Sequence, residues 1–101
     1  MLCDARAMAA YVVFQGQVHD QEKYETYRPG AGASVAEAGG KFLARGGAST
    51  PLEGEDPPPR TVIIEFDSVD AAQRWYDGAA YSEVKGIRQA ASTGRMYIVE
   101  G

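Results

Sequence analysis

A chain of 101 residues, 45% apolar and 24% charged, has the size and composition of one ordinary globular domain with a single core. Its net charge of −4, with basic residues scattered along the chain, argues against nucleic acid or an anionic membrane surface as a partner. No apolar run approaches the roughly 20 residues of a membrane span, and the lone Cys3 cannot close an internal disulfide, so a reducing cytoplasm is the simplest location.

Met1 to Ala7 is too short and too polar for a signal peptide and reads as a dispensable, disordered extension. The domain is expected over residues 8–101. A first strand covers about Ala9 to Val18, with Val12, Phe14, Gly16 and Val18 on one face and Tyr11, Val13, Gln15 and Gln17 on the other. Asp20 is a natural N-cap, because its carboxylate can accept from the free N–H groups of a first helical turn. Tyr24, Tyr27, Ala31, Val35 and Ala38 then follow at three- and four-residue steps and form one apolar stripe. Pro29 removes a backbone donor and Gly30 and Gly32 weaken the middle, so a kink or a broken helix is expected there. Gly39-Gly40 supplies a left-handed stop.

The second strand runs from Lys41 to about Ala48, with Gly46-Gly47 inside it as a bulge or bend. Ser49 to Arg60 carries Pro51 and the run Pro57-Pro58-Pro59 and reads as an exposed, extended arm. Thr61 to Phe66 is the most apolar segment and the best candidate for a central strand. Ser68 caps a second helix with Val69, Ala72, Trp75 and Tyr76 facing inward; Asp77-Gly78 breaks it. Helical spacing restarts over Tyr81, Val84, Ile87, Arg88 and Ala91, Gly94 is expected to end it, and Met96 to Val99 forms the last strand.

The pattern is βαβ repeated. Two right-handed crossovers yield an α+β fold with a four-stranded antiparallel sheet in the order 4-1-3-2 and helices on one face. The other face would expose Tyr11, Val13, Thr61 and Ile63, too apolar for water. Packing against a second copy through a two-fold axis covers it, so a homodimer through the sheet face is expected.

Ala10-Tyr11-Val12, Asp20 with Tyr24 and Tyr27, Gly39-Gly40, Arg45-Gly46-Gly47, Glu53-Gly54, Glu65-Phe66, Trp75-Tyr76, Tyr81, Arg88 and Val99-Glu100-Gly101 together resemble the domain-of-unknown-function 1330 family. The resemblance spans Met8 to Gly101. It implies a ferredoxin-like βαββαβ fold of the dimeric α/β-barrel type, whose wider relatives include small monooxygenases, haem-handling proteins and isomerases. The family itself carries no settled activity. This chain departs from it at Gly78, where many members have serine, and at Asp67, where a proline is common.

Arg45 is the leading candidate for ligand contact. Its planar five-donor fork suits a carboxylate or enolate, and the glycines after it allow close approach. Pairing with Glu53 or Glu65 to tie strands or subunits together is the structural alternative. Glu65, in an otherwise apolar strand and on the face of Thr61 and Ile63, is a candidate general base or an arginine's ion-pair partner. Tyr27, Tyr76 and Tyr81 offer hydroxyls to a pocket or pack in the core. Arg88 either reaches a pocket or snorkels to solvent. Trp75 reads as a core anchor, and Arg60 as a pin for the arm.

One histidine, His19, is too few for a metal site, and no phosphate loop, Cys-x-x-Cys or nucleophile elbow is present. Any catalysis is therefore expected to be cofactor-independent proton transfer, by Glu65 or a tyrosine with Arg45 stabilising charge. The leading expectation is a homodimer that binds a small organic molecule, anions included, between sheet and helices. The alternative is a non-enzymatic assembly module that uses the dimer surface and the 49–60 arm.

Overall fold

Burial alternates along β1 (Ala10–Val18), a central strand that buries Ala10, Val12 and Phe14 while Tyr11 and Val13 look the other way. The computed structural model describes residues 9–101; the extension expected over residues 1–7 lies outside the described residues. After β1 come α1 (Gln21–Glu37), β2 (Lys41–Arg45), β3 (Arg60–Phe66), α2 (Val69–Asp77), α3 (Ala79–Ala91) and β4 (Ser92–Glu100). The sheet is antiparallel throughout in the order β2-β3-β1-β4, as expected from the two crossovers. Val62, Ile64 and Phe66 of β3 join Val12 and Phe14 beneath the helices in one core with Val35, Trp75 and Tyr81.

Both predicted N-caps form. Lys23 N–H donates to Asp20 Oδ1 at 3.0 Å, and Ala71 N–H donates to Ser68 Oγ at 3.0 Å. The expected break at Gly78 separates α2 from α3.

Three boundaries differ from expectation, each for a local reason. α1 runs unbroken through Pro29, which lies on its exposed side. Gly30 serves packing there: a Cβ on it would sit 2.6 Å from Val84 Cγ1, so its bareness lets α3 close onto α1. β2 stops at Arg45 rather than near Ala48, because Gly46 takes φ +81 and turns the chain, its N–H donating to Thr61 O at 2.9 Å. Gly94 does not end α3. The helix closes at Ala91 because Ser92 Oγ donates to Arg88 O at 2.7 Å and the His19 and Asp20 N–H groups donate to Ala91 O. Gly94 lies instead inside β4, opposite Gly16 of β1.

At that pair the two backbones crowd. A Cβ at Gly94 would strike the Gln15 carbonyl oxygen and come 2.6 Å from Gly16 Cα, whereas a Cβ at Gly86 in α3 meets nothing. Gly94→Ala is expected to cost about 1–3 kcal/mol and Gly86→Ala to stabilise by about 0.5–1 kcal/mol. Urea unfolding midpoints of the two variants check both signs.

Candidate functional site

Between the sheet and the helices lies a recess of about 480 Å³ including its open mouth, narrowing to an inner cavity of about 30 Å³, room for a water or two. Val12 and Phe14 of β1, Phe42 of β2, Val62 and Ile64 of β3 and Met96 of β4 form its floor. Tyr24, Tyr27, Ala31 and Val35 of α1 and Trp75 of α2 close it from above. Into this apolar and aromatic enclosure project four arginines, Arg28, Arg45, Arg60 and Arg88, and no carboxylate lines it.

Each arginine is placed by a local feature of the chain. Arg88 stands seven residues after Tyr81 on the inward face of α3 and is only 8% exposed. Its Nε donates to Tyr81 Oη at 3.0 Å and its guanidinium carbon lies 5.3 Å from the centre of the Phe14 ring. Arg60 shares the face of Val62 and Ile64 in β3; its Nε donates to Tyr24 Oη at 3.1 Å, and it stacks over that ring at 5.0 Å. Gly46 leaves room for this, since a Cβ there would overlap the Arg60 guanidinium.

Arg45 owes its position to a bulge. Phe42 pairs with Ile64, Ala44 with Ile63 and Arg45 with Val62, so Leu43 is an extra residue that flips the alternation. Phe42 and Arg45, three apart, thereby reach the same face, and the guanidinium stacks on the Phe42 ring at 4.1 Å. It also lies against α1, where a Cβ on Gly32 would be 3.0 Å from Nη2. Arg28, at the mouth, pairs with Glu25 at 3.4 Å, the sole ion pair among the described residues.

Guanidinium groups do not give up their proton in proteins, so the recess carries fixed positive charge. For Arg88 that charge is largely withdrawn from water, with cation–π and phenol contacts but no counter-anion among the described residues to offset desolvation. Around it each buried side-chain polar atom has at least one hydrogen-bond partner. Tyr27 Oη and Tyr81 Oη are 2.8 Å apart, and Trp75 Nε1 donates to Ser34 Oγ at 3.0 Å, which donates to Ala31 O. Burial pushes the Tyr27 hydroxyl's pKa well up, neighbouring Tyr81 adds to this, and Arg88 opposes it only in part.

The structure brings three of the expected residues, Tyr27, Arg45 and Arg88, to one recess. Tyr81 is fully buried behind Tyr27 rather than on the lining. Tyr76 lies outside, in shallow recesses shared with Gln73, Met96 and Tyr97, with Lys85 Nζ 3.8 Å from its ring centre. Glu65 stands on the open face of the sheet, paired in register with Tyr11 and Lys41. Arg45 and Glu65 therefore occupy opposite faces and do not form one acid–base centre within a chain. Within the chain Arg45 does not pair with Glu53 or Glu65.

Sequence reasoning missed Arg28 and Tyr24 as lining residues and took Arg60 for a pin of the arm. Arg60 has the strand parity of Val62, Ile64 and Phe66, a signal masked by the prolines before it. Arg28 follows Tyr27 beside the buried stripe, where a charged residue ordinarily faces water. Among the described residues no group of three His, Cys, Asp or Glu side chains could hold a metal ion, and no helix is long and apolar enough to cross a membrane.

An antiparallel sheet in this order, with all helices on one face, is the ferredoxin-like α+β fold, and solved structures agree. The chain is 22% identical to a protein of unknown function from Rhodopseudomonas palustris, covering 95% of this chain and 84% of that one at a TM-score of 0.76. It is 18% identical to SnoaB, a cofactor-independent oxygenase from Streptomyces nogalater, over 92% of each chain at 0.61. A dimeric protein of unknown function and ferredoxin-like fold from Bacteroides fragilis is 15% identical, over 94% of this chain and 97% of its own, at 0.60. Among curated proteins, none matches in sequence. The chain belongs to the family described as Domain of unknown function (DUF1330), matched over residues 9–101.

The raised Tyr27 pKa has a consequence for stability. Below about pH 10 the phenol is protonated in both folded and unfolded chains, and its contribution is complete. Above that, the unfolded chain ionises first, so stability falls with rising pH by up to about 1.4 kcal/mol per pH unit from this group. Tyr27→Phe is expected to shed that part of the slope in urea midpoints followed from about pH 9 to 11.

Proposed function

We propose that this chain is a homodimer that binds a small organic anion in the recess between sheet and helices. The observation that carries the reading is Arg88, a largely buried residue with its Nε occupied by Tyr81 and its outer N–H groups reaching the recesses without a protein acceptor among the described residues. A carboxylate or other oxyanion supplies the missing partner through a charge-assisted pair of hydrogen bonds. Arg28, Arg45 and Arg60 at the mouth add attraction, and the rings of Phe14, Phe42, Tyr24 and Trp75 suit an apolar body. Entry requires the mouth arginines to swing outward, since the inner cavity is smaller than such a ligand.

The chemistry these groups support is hydrogen-bond donation to an oxyanion, from a tyrosine that burial keeps protonated. A base has no place in the lining, which lacks a carboxylate. SnoaB, of the same fold, is a cofactor-independent oxygenase, which accords with a scaffold that handles its substrate through its own side chains.

Dimerisation rests on the uncovered sheet face. Tyr97 and Val99 of β4 are 44% and 45% exposed, beside half-buried Tyr11, Val13 and Ile63, a continuous apolar surface on the side away from the helices. The Bacteroides fragilis neighbour is dimeric. One further observation favours a role for the arm in assembly: Leu52, on the segment joining β2 to β3, is 91% exposed.

Melting curves with a panel of small carboxylates are expected to rise for the wild type, by roughly 4–8 °C for each kcal/mol of linked binding. Arg88→Met should abolish the response and Arg88→Lys weaken it; an unaltered response in both contradicts the reading. Sedimentation equilibrium should show a dimer that Ile63→Glu dissociates, with the carboxylate response of the protein as the independent check that the fold survives.

A further inference from the structure

The paired hydroxyls of Tyr81 and Tyr27 have one orientation that gives the fully buried Tyr81 proton an acceptor. Tyr81 has no exposed surface, and among the described residues its hydroxyl has two partners, Arg88 Nε at 3.0 Å and Tyr27 Oη at 2.8 Å. An arginine N–H can only donate, so the Tyr81 oxygen accepts from Arg88. The Tyr81 proton then has one acceptor in reach, the oxygen of Tyr27. The reverse arrangement, with Tyr27 donating, would leave the buried Tyr81 proton aimed at nothing, an expensive state in an apolar core. Donation therefore runs from Arg88 to Tyr81 to Tyr27, and it ends on a Tyr27 proton with no acceptor among the described residues. Tyr27 lines the recess.

Resting on the anion-binding reading above, we infer that Tyr27 is the recess's hydrogen-bond donor to the oxygen of an aromatic oxyanion, a phenolate or ring-bound carboxylate, with Tyr81 as the positioning residue that polarises and aims it. The aromatic body follows from the walls, where the rings of Phe14, Tyr24 and Trp75 face the space. The donor role agrees with burial, which keeps Tyr27 protonated. Hydrogen bonds in series strengthen one another, so a phenol that itself accepts from a cation-fed phenol donates more strongly than an isolated one. The cationic groups Arg28, Arg45, Arg60 and Arg88 also face the recess, and Tyr24, which accepts from Arg60, offers a second neutral O–H, but only Tyr27 is joined to Arg88 through the buried Tyr81.

The test uses 4-nitrophenol, whose ionisation is read directly from its visible absorption, with the whole protein in excess. Wild-type protein is expected to favour the bound phenolate about tenfold, lowering the probe's apparent pKa by about one unit. Tyr27→Phe should remove most of that preference and weaken phenolate binding about tenfold. Tyr81→Phe, which never touches the ligand, should remove part of it while leaving binding of neutral nitrobenzene unchanged, a split that a merely structural role would not produce. An undiminished phenolate preference in folded Tyr27→Phe overturns the relay and leaves the anion recess standing. Failure of the wild type to bind either 4-nitrophenolate or benzoate overturns both.

Discussion

The interaction on which the rest of this site depends is the hydrogen bond from the Arg88 guanidinium to the Tyr81 hydroxyl, made where both residues are largely buried between sheet and helices. A charge in that place is costly unless something answers it. The Phe14 ring and one phenol oxygen answer it in part, and the remaining N–H groups have no protein acceptor among the described residues. The bond to Tyr81 couples several otherwise separate features. The second phenol, Tyr27, is oriented by the first; Trp75 packs on Tyr81 with ring centres 4.2 Å apart; and the same Trp75 is fixed at its nitrogen by Ser34 of α1. Helices α1, α2 and α3 thus meet around one cation.

The two faces of the sheet divide the work. The helix-covered face carries Val12, Phe14, Val62, Ile64 and Phe66 as core and Arg45 and Arg60 at its rim. The open face carries an apolar patch with Glu65 and Lys41 in register at its edge. A single bulge at Leu43 assigns Arg45 to the first face instead of the second.

Much of the fold was legible because alternation in Ala10–Val18 and Thr61–Phe66 and the caps at Asp20 and Ser68 are local signals that tertiary packing did not override. The glycines misled where their purpose is long-range. Gly30 reads as a helix breaker yet serves contact with Val84, and Gly94 reads as a helix stop yet lies against Gly16. The site was half legible. The Arg-Gly-Gly turn and the helical stripe of Tyr81 and Arg88 led to Arg45 and Arg88, which line the recess, and to Tyr81, which lies behind it. The face of Arg45 did not follow, because a bulge depends on the partner strand's register, which no local pattern carries. Glu65 was correctly placed on the open face by parity; its separation from Arg45 followed only once the bulge was seen.

The central claim is that a buried, hydrogen-bonded guanidinium opens onto a cavity built for an anion. Crystals grown with 4-bromobenzoate test it most directly, because bromine's anomalous signal fixes the ligand's place and orientation. The account predicts a bromine peak between sheet and helices with the carboxylate turned towards Arg88. Bromine found only on the open sheet face, with Arg88 answered by a carboxylate of the protein itself, would contradict it.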